Sequence, residues 1–138
     1  MRTISVIVEP GKDGFGITFK TIGLENITSF GETLEEAKEN AKDAIEEMIA
    51  YYKETGQELN EILKNYEKGK VKFRYSYLLK YYFKEFSYLN VTKLAATMGI
   101  NPSLLRQYDK GIAKASEEKF LEIRDGLKKV GKELLSAV

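Results

Sequence analysis

Ser103, Arg106 and Gln107 stand three and four residues apart in a short, apolar-patterned stretch, and these are side chains with the chemistry to read DNA base edges. An Arg guanidinium matches the paired acceptors of guanine, and a Gln amide matches the donor and acceptor of adenine. Lys93, Lys110 and Lys114 surround them and, with Arg106, would hold phosphates and fix register. Asn101 stands at the head of the same stretch and completes the set of candidate DNA-binding residues. The plain alternative is a generic three-helix packing with a solvated face, because short helix pairs joined at a glycine are common.

The elements that would position these residues run from Asn90 to Gly111, NVTKLAATMGINPSLLRQYDKG. Leu94, Ala95, Met98, Ile100, Leu105 and Tyr108 place apolar groups on the inner faces of two short helices. The first is expected over Val91–Met98, with Gly99 just past its end, where a positive φ carries no Cβ penalty. Asn101 then caps a second helix whose first residue, Pro102, lacks an N–H that would be unpaired there anyway. That helix is expected to stop near Lys110, before Gly111. The pattern is that of a helix-turn-helix.

Other constellations carry less chemistry. Phe73, Tyr75, Tyr77, Tyr81, Tyr82, Phe83, Phe86 and Tyr88 are interleaved with Arg74, Lys80 and Lys84, a mixture able to stack single-stranded bases. At helical spacing most of these rings are expected to be core. Gly14-Phe15-Gly16 lies inside a hairpin pattern and opens no helix, so it is no phosphate cradle. Glu32, Glu35, Glu36, Glu39, Asp43, Glu46 and Glu47 nearly all fall on one helical stretch, whereas a two-metal nuclease needs acids converging from several elements. A solvated face is expected, or an acidic docking surface for a basic partner.

The chain has 138 residues and neither Cys nor His. Disulfides, thiolate nucleophiles, Cys or His zinc sites and His general bases are therefore excluded. No run of about 18 apolar residues could span a membrane, and the start, MRTISVIVEP, is too short and strand-like for a signal peptide. A soluble cytoplasmic protein is expected. Net charge is +1, yet residues 1–60 hold twelve Asp/Glu against six Lys/Arg, and residues 61–138 hold nine against sixteen. The halves thus differ, at −6 and +7, and a division into residues 1–70 and 71–138 is expected.

In the first half, Thr3–Glu9 is β-branched and ends at Pro10-Gly11, which predicts a strand and turn. Phe15–Thr21 alternates like a half-buried antiparallel strand, and Asn26–Phe30 suits a third. From Leu34 the apolar period becomes helical, opened by Thr33 with Glu36 as a capping box and closed by Gly56, so a helix is predicted over Leu34–Glu54. Residues 57–69 read as a connection, Val71–Tyr75 as a possible further strand and Tyr77–Phe86 as a helix. Ser116 should cap a last helix with Phe120, Ile123, Leu127, Val130 and Leu134 inward.

The strand, the hairpin and then GETLEEAKENAKDAIEEMI (Gly31–Ile49) resemble the HicB domain, the antitoxin of HicA/HicB toxin–antitoxin pairs. Gly31, Thr33, Glu35, Glu36 and Ala37 match its Gly-x-Thr-x-Glu-Glu-Ala run. INPSLLRQYDKG and KKVGKELLSAV resemble the helix-turn-helix tail that some HicB proteins carry. The resemblance implies an α+β chain, with a truncated, nuclease-inactive ribonuclease H-like sheet and helix at residues 1–70 and an all-α helix-turn-helix domain at 71–138. It implies a non-enzymatic antitoxin with no cofactor or metal. Its partners would be a HicA-like messenger-RNA interferase toxin, operator DNA and a second copy of itself, at least as a dimer. Two rivals stand beside it: a stand-alone transcription regulator without a toxin, and a residual metal-dependent nuclease using Glu9.

Overall fold

The computed structural model describes residues 1–138 and contains five strands and six helices, a mixed α+β chain. It divides into two compact units, Met1–Ser76 and Tyr77–Val138.

The first unit begins with a three-stranded antiparallel meander: β1 (Arg2–Pro10), β2 (Phe15–Phe19) and β3 (Thr28–Gly31). Alternate residues of β1, Ile4, Val6 and Val8, are buried, and the register sets Val6 opposite Phe19 and Val8 opposite Ile17. One face of the sheet is thus apolar, as a period of two requires. It receives α1 (Leu34–Glu54), whose Ala37, Ala41, Ile45 and Ile49 form a buried stripe at four-residue spacing. Two features fix where α1 begins. The Thr33 hydroxyl accepts the Glu36 backbone N–H at 3.1 Å. A Cβ on Gly31 would lie 2.3 Å from the Ala37 backbone nitrogen, so the strand end and the first helical turn approach too closely for any other residue. The Gly, Thr and Ala of the GETLEEA run therefore all have local structural work.

Residues 57–69 are more than a connection. Glu61–Glu67 form a helix, α2, which buries Ile62 and Leu63. Asn60 caps it, accepting the Leu63 N–H at 2.9 Å, and donates its amide to the Gly23 carbonyl at 3.2 Å, pinning α2 to the β2–β3 loop. A further strand, β4 (Val71–Tyr77), lies beside β1, giving the order β3-β2-β1-β4, and the Arg2 N–H bonds the Lys70 carbonyl at 3.0 Å. This pairing places 71–76 in the first unit, so the boundary falls after residue 76 rather than after residue 70. Phe73 and Tyr75 lie on one face of β4, beneath the Lys42 and Lys38 ammonium groups of α1, 5.3 and 4.1 Å from the ring centroids.

At the outer edge of this sheet, β3 has its Phe30 carbonyl bonded by the Asn40 amide at 2.9 Å.

The second unit holds α3 (Lys80–Glu85), α4 (Val91–Met98), α5 (Pro102–Lys110), a two-residue strand β5 (Ala115–Ser116) and α6 (Glu117–Ser136). Tyr77, expected in a helix, ends β4 instead; its ring stacks on Phe120 at 4.1 Å and its hydroxyl donates to Glu117 at 2.8 Å. Phe83, Leu94, Ala95, Ile100, Leu105, Tyr108, Phe120 and Ile123 are buried. Of the aromatic run expected to be core, only Tyr77 and Phe83 are buried; Phe73, Tyr75, Tyr82 and Phe86 are half-buried, the first two on β4 rather than on a helix, and Tyr81 and Tyr88 are exposed. Ser116 caps α6 by accepting the Lys119 N–H at 3.2 Å. The inner face predicted for α6 stops early, because Leu134 is 68% exposed.

Candidate nucleic-acid interface

Helices α4 and α5 are short, so their ends decide their geometry. Asn90 opens α4 by accepting the Lys93 N–H at 3.0 Å. Gly99 closes it at φ 73°, where the Ile100 N–H bonds back to the Ala95 carbonyl at 2.9 Å. A side chain at this left-handed φ would cost about 1 kcal/mol or more. The chain then turns straight into α5. The Asn101 side-chain oxygen accepts the N–H groups of Ser103 and Leu104 at 2.9 and 3.4 Å, with Pro102 first in the helix. Gly111, also at φ 73°, ends α5.

Burial then sets which side of α5 is available. Leu105 and Tyr108 point into the unit, so Ser103, Gln107 and Lys110, at positions i, i+4 and i+7, form the opposite, exposed row. Arg106 borders that row and is half-buried. Its guanidinium donates to the Thr92 hydroxyl on α4 at 3.1 Å and to the Ser103 hydroxyl, one turn back, at 3.1 Å. Neither acceptor is a carboxylate, so its charge is bonded but not neutralised. Elsewhere in the unit Lys119 is paired with Glu122 at 2.9 Å, and that hydrogen bond raises the Lys119 pKa.

Among the sequence-predicted residues, the structure thus brings Ser103, Arg106, Gln107 and Lys110 onto α5. Lys93 is exposed on α4, and Lys114 is exposed in the segment following α5. Asn101 differs from the others, since its oxygen is committed to the helix cap. Thr92 was missed. Nothing in its spacing says which side chain of a second helix it will meet, and only the packing of α4 on α5 reveals it.

The acidic candidates behave as a surface. Glu32, Glu35, Glu36, Glu39, Asp43, Glu46 and Glu47 are all exposed, and no three acids cluster in a way that could hold a metal ion. Recounted on the observed units, Met1–Ser76 holds fourteen Asp/Glu against eleven Lys/Arg, and Tyr77–Val138 holds seven against eleven. The contrast is −3 against +4, smaller than −6 against +7, because residues 61–76 bring five Lys/Arg and two Asp/Glu into the first unit. No helix is long and apolar enough to cross a membrane.

The chain matches no protein-family model, and comparison with curated proteins and with solved structures finds no match.

Proposed function

We propose that this protein is a DNA-binding regulator of the antitoxin type, in which α4 and α5 form a helix-turn-helix and α5 enters the major groove of operator DNA. The observation that carries the reading is the exposed row Ser103, Gln107 and Lys110 with Arg106 beside it, on a helix capped at its head and wedged against a partner helix across the Gly99 turn. Recognition helices of this motif present their outer, N-terminal residues to base edges. The first unit is a truncated ribonuclease H-like, HicB-type module that masks a small basic HicA-like toxin and so neutralises it. The β3-β2-β1-β4 order and the exposed acids of α1 support that half. Masking requires no catalysis and no cofactor. Two copies bind together, since one nine-residue recognition helix reads few base pairs. Leu134 and Leu135, 68% and 74% exposed on α6, suit such pairing.

The stand-alone regulator is a second reading, favoured by the reduced −3 of the first unit. Two measurements separate them. Selection from a random pool of duplexes about 30 base pairs long should return a shared sequence, as specific readout requires; recovery of unenriched DNA would overturn the DNA reading. If a short basic reading frame that arrests growth lies beside this gene, co-expression should relieve the arrest, with the two proteins co-purifying. Arrest without relief, or a locus with no such frame, would leave the stand-alone regulator.

A further inference from the structure

We infer that Thr92, Ser103 and Arg106 form a phosphate clamp, in which Thr92 is a positioning residue, and that sequence discrimination on α5 falls to Gln107; this rests on the DNA-binding reading above. Arg106 has the charge and the fork to contact either a base or a phosphate, and its tethers decide between them. One guanidinium nitrogen is held by Thr92 on α4 and the other by Ser103 one turn back along α5, each at 3.1 Å. The side chain therefore lies along the groove between the two helices instead of projecting from α5. Base edges lie at the floor of a major groove roughly 8.5 Å deep, whereas phosphates line its rim. A guanidinium folded back toward α4 meets the rim. Gln107, the next residue, is exposed and carries no such tether, so it is free to reach the floor.

The donor inventory agrees. A guanidinium offers five N–H groups and a hydroxyl one O–H plus acceptor lone pairs. With one N–H given to each hydroxyl, three remain, and both hydroxyls keep their own O–H. The guanidinium then presents three N–H donors and an unneutralised positive charge to a phosphodiester, whose free oxygens only accept, while the Thr92 hydroxyl holds it in place.

The test uses the full-length protein, fluorescence anisotropy with the duplex recovered from the random pool, and repeated selections with each variant. Thr92→Val should weaken binding about threefold to tenfold with unchanged thermal stability, and Thr92→Ser, which keeps the hydroxyl, should restore it. Arg106→Ala should reduce the salt dependence by about one phosphate contact, a change of roughly 0.9 in the slope of log K on log salt. Adding Thr92→Val to Arg106→Ala should weaken binding no further, because the hydroxyl acts through the guanidinium. Both single variants should select the wild-type sequence, and Gln107→Ala a different one. A wild-type affinity for Thr92→Val, or a changed selected sequence for Arg106→Ala at unchanged salt slope, overturns the clamp alone. Absence of any selected duplex for the wild-type chain overturns the DNA reading and the clamp with it.

Discussion

Asn101 offers a perturbation that separates holding α5 in place from the DNA contact proposed for it. Its side-chain oxygen accepts two backbone N–H groups at the head of α5, so Asn101→Ala leaves both without that partner. Loss of an N-cap costs about 1 kcal/mol, within a range of about 0.5 to 2. If Tyr77–Val138 unfolds as its own unit, that corresponds to a fall of about 4 to 8 °C in its melting temperature. Ser and Asp cap helices about as well as Asn. Asn101→Ser should therefore melt like the wild type and bind duplex DNA like it. Asn101→Asp should also keep its melting temperature, yet bind more weakly, because it adds a negative charge next to Ser103 at the head of the helix proposed to meet DNA. Circular dichroism melts and anisotropy titrations at one salt concentration give both readouts. If Asn101→Ser proves as unstable as Asn101→Ala, capping is not what Asn101 contributes. If Asn101→Ser is stable but loses affinity, the amide itself touches DNA.

Gly31→Ala should destabilise the first unit by about 1 to 3 kcal/mol in urea unfolding, the usual cost of overpacking, because its Cβ would fall 2.3 Å from a backbone nitrogen; a loss under about 0.5 would refute the close approach. Binding to duplex DNA should fall with salt at a log–log slope of about −3 to −4 per copy, as expected if Lys93, Arg106, Lys110 and Lys114 each neutralise one phosphate, and a flat dependence would remove the phosphate contacts. Burial raises the pKa values of Tyr82 and Tyr108, with Tyr88 adding to the first and Glu122 to the second while Lys119 opposes it. The neutral phenol is then favoured in the folded state. Its stabilisation is complete below the ordinary value of about 10 and is lost as pH rises through the folded values. Alkaline titration at 295 nm should show these tyrosines ionising late and together with unfolding; early ionisation of all nine tyrosines with the fold intact would contradict their burial.

Elements with strong end signals were legible from residue types. Helices α1, α4 and α5 begin where Thr33, Asn90 and Asn101 cap; Gly99 and Gly111 close α4 and α5, and α1 ends at Thr55, just before Gly56 at φ 72°. Helix α2 has seven residues, too few for apolar periodicity to stand out, and its signal was local: an Asn60 cap ahead of Ile62 and Leu63. The aromatic stretch from Phe73 supported two periods, and strand alternation prevailed through Tyr77, where pairing beside β1 was available to β-favouring rings. On α6 the periodicity correctly marked Phe120 and Ile123 but carried no mark of where the core ends before Leu134. The candidate site divides in the same way. Its α5 face follows from helical spacing, whereas the tie between Arg106 and Thr92 is a tertiary contact over fourteen residues that no periodicity encodes.

The bond from Asn40 to the Phe30 carbonyl bears on how the first unit can meet other chains. An outer strand normally offers its unpaired backbone as a template on which a neighbouring strand can add, the common route to aggregation and to peptide capture. Here the outer strand has only four residues, and a helix side chain already holds one of its carbonyls. A partner of this unit is thereby steered away from strand addition at β3 and toward side-chain contact, where shape and charge rather than shared backbone bonding decide which partner is accepted.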